Sequence, residues 1–232
     1  MKTKKLFNPQ LILSAQANPV RAAAMSKYMR DQFNYYGIHK PALNILAKPM
    51  LKEMLQTVKE IAETDGDVNI YLTKLVRQWW NYPQRECQYI IMQFLFKTNK
   101  YWDKDTIGIL EWMILNKSWW DTVDYIASDL VGKYFELFPK EIPSAIKRWN
   151  AQNNFWLHRT SLIFQLKYRK QTNAVLLFAQ CKRFSQEKEF FIRKAIGWAL
   201  RQYSKSEPAK VKTFIKATPL SPLSVKEGSK YV

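Results

Sequence analysis

The sequence predicts an all-α protein, built as a right-handed solenoid of HEAT-like helical repeats with a basic concave surface. Apolar residues recur at spacings of three and four through most of the 232 residues, and no alternating strand pattern of comparable length competes with them. Proline residues interrupt this pattern and divide the chain into short helices. Since 47% of the residues are apolar and no linker-like stretch occurs, residues 1–232 are expected to form a single domain.

Four of the predicted helices resemble one another, because each carries a charged residue early and then a long apolar face. Alignment of these charges gives intervals of 39, 35 and 34 residues, which match the period of HEAT-type helix pairs. Such arrays stack into curved rods with an extended concave binding surface. On periodicity alone, a non-repeating helical bundle is the alternative. The helices are predicted at Pro83–Lys97, Trp119–Phe135, Phe155–Tyr168 and Glu189–Tyr203, with charges at Arg85, Asp124, Arg159 and Arg193.

The chain is strongly basic, with 37 basic and 19 acidic residues and a formal net charge of +18. The surplus is uneven, because residues 1–116 hold 16 basic and 10 acidic residues, whereas residues 117–232 hold 21 and 9. Evenly mixed signs would serve solubility, but a one-sided surplus is typical of a protein that binds a polyanion. Nucleic acid is therefore the first candidate partner.

Several other classes of function lack support in the sequence. Cys87 and Cys181 have no CxxC spacing, and His39 and His158 have no companion ligands at zinc-site intervals, so no metal is expected. GxGxxG, P-loop and GxSxG motifs are missing, and we expect no cofactor. Apolar runs fall far short of the roughly 18 residues that span a membrane, so no membrane partner is expected.

Two charged residues interrupt the apolar faces of predicted helices. Asp124 shares a row with Trp120 and Ala127, and Arg159 stands before Leu162 where a hydrophobic residue would be expected. Because burial of a charge is costly unless it is compensated, we expect these two residues to pair across neighbouring repeats. The pair admits two interpretations: a salt bridge that fixes helix register, or a carboxylate held for chemistry.

Aromatic residues crowd the same carboxylate. Trp119 and Trp120 precede it directly, and Trp198 follows in a later repeat, although core packing alone would also explain Trp198. Ser118 and Asp121 have the form of a capping box, which assigns Asp121 to helix structure. A carboxylate, tryptophans, an arginine and a basic surface could together stabilise a cation on a polyanionic substrate.

The segment KSWWDTVD, residues 117–124, resembles the DNA alkylation repair glycosylases of the AlkD type. The resemblance covers nearly the whole chain, since further blocks follow in the same order and at compatible spacing. The chain departs from the family pattern after Ile38, where the family often has an arginine-rich turn, and at Cys87, where a larger apolar residue is common. The further blocks are Ala17–Pro19, Lys27–Met29, Tyr36–Ile38, Trp156–Arg159, Leu162–Tyr168, Glu189–Trp198 and Pro222–Ser224.

This resemblance implies a base excision repair enzyme that acts on duplex DNA, and a monomer is the default expectation. The implied reaction is hydrolysis of the N-glycosidic bond of cationic N-alkylpurines, such as 3-methyladenine and 7-methylguanine. A cytoplasmic protein, associated with the nucleoid when bound to DNA, is expected. The resemblance assigns catalytic roles to four residues and a DNA contact to an N-terminal tyrosine: Asp124, Trp120, Trp198, Arg159 and Tyr28.

The C-terminal basic residues supply candidate phosphate contacts. A non-catalytic helical-repeat protein that binds damaged DNA, RNA or a protein partner is the alternative function, since a fold alone does not fix an activity. The candidate contacts are Lys147, Arg148, Lys167, Arg169, Lys170, Lys182, Arg183, Lys188, Arg193 and Lys194.

Overall fold

A computed structural model describes residues 9–232, and within this range the regular structure is helical, with one isolated bridge between Asn34 and Gln84. The predicted all-α class is confirmed. The chain divides into two compact units, Met1–Asp103 and Lys104–Val232. The single domain and the handedness of the solenoid stay predictions, and each unit is described by itself.

Unit 1 contains five α-helices and one 3-10 turn, Asn99–Tyr101, within its described part. Helix α5 packs against both α3 and α4, and buries its apolar face there. Trp79 and Trp80 of α4 are fully buried in the same core. The helices are α1 (Pro9–Ser14), α2 (Pro19–Tyr28), α3 (Lys40–Glu63), α4 (Val68–Asn81) and α5 (Arg85–Lys97).

Unit 2 contains the longer series of helices, in which α12 is central because it packs against α10, α13 and α14. Short 3-10 turns occur at Pro139–Glu141 and Arg169–Gln171. The helices are α6 (Thr106–Leu115), α7 (Trp120–Tyr125), α8 (Gly132–Leu137), α9 (Ile142–Ala151), α10 (Phe155–Ile163), α11 (Ala174–Arg183), α12 (Phe190–Ser204), α13 (Pro208–Ala217) and α14 (Pro222–Gly228), with a π-helix at Ile126–Val131 between α7 and α8.

The predicted helix Phe155–Tyr168 is wrong at its C-terminal end, because α10 stops at Ile163. The next residues form tighter turns, in which Leu166 N–H donates to Ile163 O and Tyr168 N–H donates to Gln165 O. The Gln165 side chain accepts from the Asn173 backbone N–H at 2.7 Å. This side chain therefore ties the end of the helix to the start of α11.

A buried carboxylate fixes the extended segment before α3 in unit 1. Glu86, which is fully buried, accepts hydrogen bonds from the backbone N–H groups of Tyr36, Gly37 and Ile38 at 2.9–3.2 Å. Asn18 N–H donates to Tyr36 O, which attaches the start of α2 to the same segment. These three backbone N–H groups all donate to the Glu86 carboxylate. This satisfies the requirement that buried backbone donors have a hydrogen-bond acceptor.

Glycine is required at position 37 for two independent reasons. Its φ of +81° lies in the left-handed region, and an added Cβ would lie 2.2 Å from Asn18 O and 2.6 Å from Ala22 N. Both neighbouring atoms belong to the backbone of α2 or its cap, so neither can rotate away. This contact explains why the TyrGlyIle segment carries a glycine.

We expect Gly37→Ala to lower the free energy of unfolding by more than about 2 kcal/mol, through backbone strain and overpacking. Gly108→Ala is the matched control, because Gly108 lies in α6 and an added Cβ would meet no atom within 4 Å beyond its own stretch of helix backbone. Alanine there should stabilise the helix by roughly 0.5–1 kcal/mol. Urea denaturation measures both changes, and equal effects of the two variants would contradict the close approach at Gly37.

Candidate active site

Asp124 and Arg159 form a bidentate ion pair in unit 2. Arg159 Nε donates to Asp124 Oδ1 at 2.6 Å, and Nη2 donates to Oδ2 at 2.8 Å. Asp124 lies near the end of α7 and Arg159 in the middle of α10, two helices that pack together. The pairing predicted from the two interrupted apolar rows is therefore present.

The guanidinium joins a third helix to this pair. Arg159 Nη1 donates to Phe191 O of α12 at 2.5 Å, and the Arg159 side chain is only 4% exposed. Its guanidinium carbon lies 5.9 Å from the Phe191 ring and 6.0 Å from the Trp198 ring. A buried cation is thus satisfied by a carboxylate, a carbonyl and two aromatic faces.

The Asp124 carboxylate remains partly accessible, with 18% of its side chain exposed. Burial raises the pKa of Asp124, and the hydrogen bonds and charge of Arg159 oppose that rise. Arginine does not deprotonate in proteins, and protonation of Asp124 would leave a buried guanidinium without its anion. We therefore treat Asp124 as a carboxylate at neutral pH.

Aromatic side chains form a continuous cluster beside the ion pair. The Trp119 ring contacts Trp156 at 6.0 Å and Phe191 at 5.4 Å between centroids, and Trp156 contacts Phe191 at 5.0 Å. Because the Phe191 carbonyl also accepts from Arg159, this cluster is coupled to the charged pair. Trp156 and Phe191 were not among the site residues predicted from the sequence.

The two tryptophans predicted to flank the carboxylate lie on different helices. Trp120 is the first residue of α7 and Trp198 lies in the second half of α12; both are partly buried. Trp198 packs against the apolar core of unit 2 and also faces the Arg159 guanidinium. Trp198 therefore both packs in the core and contacts the ion pair.

The predicted capping box is wrong. Ser118 Oγ donates to Ile114 O at 2.6 Å, and the N-cap of α7 is Trp119, which makes no side-chain capping bond. The physical reason is the left-handed backbone of Lys117, whose φ of +49° places the Ser118 hydroxyl on the last turn of α6. Asp121 therefore does not have the capping role assigned to it.

A π-helix follows the carboxylate directly, and sequence reasoning missed it. Ser128 Oγ donates to Asp124 O at 2.8 Å at the start of this segment. At its end, Gly132 lets α10 approach closely, since an added Cβ would lie 2.8 Å from Phe164 O, and Gly132 O accepts from Tyr168 at 2.7 Å. Single π-turns often occur at functional sites.

Comparison with known proteins gives the family. A family model for the DNA alkylation repair enzyme matches residues 10–232. The chain belongs to this family. A predicted DNA alkylation repair enzyme from Enterococcus faecalis has a similar structure, with a TM-score of 0.82 and 33% identity over 93% of this chain and 96% of that one.

A second solved structure, smu.31 from Streptococcus mutans, matches with a TM-score of 0.56 and 19% identity, over 82% of this chain and 99% of that one. At this identity the likeness concerns the fold alone. No curated protein matches the chain. Membership of the DNA alkylation repair family makes DNA the partner class to consider for the basic residues.

Several predicted phosphate contacts in this DNA alkylation repair family member are ion-paired to carboxylates. Arg148 pairs with Glu111, and Lys167 pairs with Asp129. Lys194 pairs with Glu227 at 2.8 Å. These pairs reduce the net charge that the three basic residues offer to a ligand.

Other predicted contacts differ in exposure. Lys147, Arg169 and Lys170 are exposed. Arg193 is partly buried and its guanidinium donates to Lys188 O at 2.5 Å. Lys147, Arg169 and Lys170 can therefore contact a phosphate more readily than Arg193 can. The remaining three, Lys182, Arg183 and Lys188, are also exposed.

In unit 1, the candidate DNA contacts are Tyr28 and a groove lined by lysines. Tyr28 ends α2 and is 72% exposed. The groove, of about 770 Å³, lies between α3 and the C-terminal end of α5. Its lining includes five lysines and a tyrosine, Lys48, Lys52, Lys59, Lys97, Lys100 and Tyr101, and no carboxylate.

Within residues 9–232, no group of three or more His, Cys, Asp or Glu side chains is arranged to hold a metal ion. Cys87 and Cys181 are buried and form no disulfide, and burial raises the pKa of the Cys181 thiol. In the same described range, no helix combines the length and the apolar character needed to cross a membrane.

We expect Arg159→Met to lower the free energy of unfolding by about 3–5 kcal/mol, because it leaves the Asp124 carboxylate and Phe191 O without the buried cation that donates to both. Arg148→Met is the matched control, since the Arg148 side chain is 43% exposed and Glu111 keeps a hydrogen bond from Trp149 Nε1, so its loss should cost about 1 kcal/mol or less. Thermal and urea unfolding measure both variants. A loss at Arg159 no larger than at Arg148 would show that the buried pair does not stabilise unit 2.

Proposed function

We propose that this protein is a DNA N-glycosylase of base excision repair, which hydrolyses the N-glycosidic bond of cationic N-alkylpurines in duplex DNA. 3-Methyladenine and 7-methylguanine are the proposed bases. The single observation that carries the proposal is the partly exposed Asp124 carboxylate, held by buried Arg159 beside Trp198 in a DNA alkylation repair family member.

Because of the chemistry of the substrate, the main task of the catalyst is to stabilise positive charge on the sugar, and a fixed carboxylate is sufficient for this task. An alkylated purine already carries positive charge, so it leaves as a neutral base and needs no general acid. Positive charge then develops on the deoxyribose. A preorganised anion in a site of low dielectric stabilises that charge without reorganisation, and we assign this role to Asp124.

The hydrogen bonding of Asp124 also leaves capacity for a water nucleophile. Each carboxylate oxygen has two lone pairs, and Arg159 occupies one on each oxygen. The remaining lone pairs can accept from a water and orient it towards the sugar. Arg159 keeps the carboxylate ionised and in position.

The flanking tryptophans complete the proposed site. Trp120 and Trp198 are assigned to the two sides of the deoxyribose, where their π faces attract the cationic sugar and exclude bulk water. The sugar, rather than the base, is then the recognised group. The base can remain largely stacked, and selectivity follows from the lability of cationic lesions.

Duplex DNA is the proposed partner of the basic surfaces. The exposed basic residues of unit 2, and Tyr28 and the lysine-lined groove of unit 1, are the proposed contacts: on unit 2 they are Lys147, Arg169, Lys170, Lys182, Arg183 and Lys188. Lysines that neutralise phosphates release counterions, which makes affinity steeply dependent on salt.

One observation favours the alternative, a non-catalytic protein that binds damaged DNA. Both Asp124 oxygens are hydrogen-bonded to Arg159, as in a purely structural ion pair. A structural pair alone, however, does not account for the Trp198 ring that faces the same guanidinium in a member of a DNA alkylation repair enzyme family. Turnover of a methylated substrate separates the two functions.

We expect the protein to release 3-methyladenine and 7-methylguanine from methylated duplex DNA, and Asp124→Asn to reduce the rate by at least about 100-fold. Asparagine keeps one oxygen that accepts from Arg159 but removes the anion, so the variant should be less stable than the wild type and still folded at the assay temperature. Chromatography of the free bases measures the release. Circular dichroism and DNA binding establish that the variant is intact.

Asp129→Asn is the matched control, because this carboxylate lies five residues further along the same helical segment and pairs with Lys167. Its rate should stay within about threefold of the wild type. No release by the folded, DNA-binding wild type would contradict the proposed function. Release of uncharged hypoxanthine at a comparable rate would contradict the charge-based mechanism.

A further inference from the structure

A shallow depression lies on unit 2 between α11 and α13, with a volume of about 480 Å³. None of its lining residues belongs to the Asp124 site. Three of the α13 residues have short alanine or threonine side chains, which leaves the space open. The lining residues are Phe178, Ala209, Lys210, Thr213, Phe214 and Ala217.

The floor of this depression is aromatic and preformed. The Phe178 and Phe214 rings stack with centroids 4.4 Å apart and an interplanar angle of 9°. Both pack against the apolar core of unit 2, and Tyr203 of α12 contacts Phe178 at 6.0 Å. A preformed apolar floor suits an anchoring side chain, because little order must be created on binding.

The helices that form the depression are strongly basic. They contain five basic residues and no acidic residue: Lys182, Arg183, Lys210, Lys212 and Lys216. Lys182 lies one turn after Phe178, and Lys210 lies one turn before Phe214. Lys210 pairs with Glu207 at 3.3 Å, but both side chains are exposed and the pair is weak.

Charge and apolar character together select the occupant. A second copy of the chain, with a net charge of +18, would be repelled. A DNA backbone would use the lysines but not the apolar floor, and each stacked phenylalanine already covers one face of the other, which limits stacking on bases. An acidic peptide with an apolar side chain uses both features.

We propose that this depression docks an acidic segment of a partner protein. One apolar side chain of that segment sits on Phe178 and Phe214, and its carboxylates face the lysines of α11 and α13. The proposal does not depend on the glycosylase activity, because the depression and the Asp124 site share no residue.

The test uses a short fluorescein-labelled peptide of aspartate and glutamate that ends in phenylalanine, with binding measured by fluorescence anisotropy. The wild type should bind it saturably, and replacement of the phenylalanine by serine should weaken binding at least about tenfold. Thr213→Glu places a negative charge in the depression and should also weaken binding at least about tenfold. Release of methylated purines by this variant should match the wild type.

Ser144→Glu is the matched control, since it adds the same charge at an exposed position of α9, outside the depression and outside both basic helices. It should change peptide affinity by less than about threefold. Absence of saturable binding, or equal affinity with and without the phenylalanine, would overturn the proposal. The proposal would also be overturned if Thr213→Glu weakened the binding of single-stranded DNA as much as, or more than, it weakened the binding of the peptide. The depression would then be a nucleic-acid site.

Discussion

The buried ion pair between Asp124 and Arg159 is the interaction on which the organisation of unit 2 depends. Its hydrogen bonds join α7, α10 and α12, because Arg159 donates to both Asp124 oxygens and to Phe191 O. A guanidinium cannot lose its charge, so the three helices must meet in an arrangement that satisfies it. The same constraint keeps the carboxylate ionised and oriented, which is the property that the proposed chemistry requires.

The sequence predicted the ion pair because two charged residues interrupt the apolar faces of their helices. Asp124 and Arg159 stood out because charges on buried stripes need partners, and the structure pairs them. The π-helix after Asp124 had no such signal, since apolar spacing continues on both sides of it. The capping box at Ser118 failed because the left-handed backbone of Lys117 redirects the hydroxyl, and a spacing rule carries no information about backbone dihedrals.

The excess of basic residues shows what composition alone cannot predict about binding. Net charge predicted a polyanion partner, but it could not distinguish basic residues held by carboxylates, such as Lys194 beside Glu227, from exposed ones such as Lys170. Nor could it reveal that the basic helices α11 and α13 line a shallow apolar depression. Pairing and apolar surroundings decide what a charge can bind, and both arise only when distant segments meet.

The most direct test of the central claim compares two stable sugar analogues in duplex DNA: a cationic pyrrolidine and a neutral tetrahydrofuran at the same position. If the Asp124 carboxylate stabilises a cationic sugar, the wild type should bind the pyrrolidine duplex at least about tenfold more tightly, and Asp124→Asn should lose this preference while it binds the neutral duplex normally. Equal affinities in the wild type, or an unchanged preference in Asp124→Asn, would contradict the electrostatic role assigned to this ion pair.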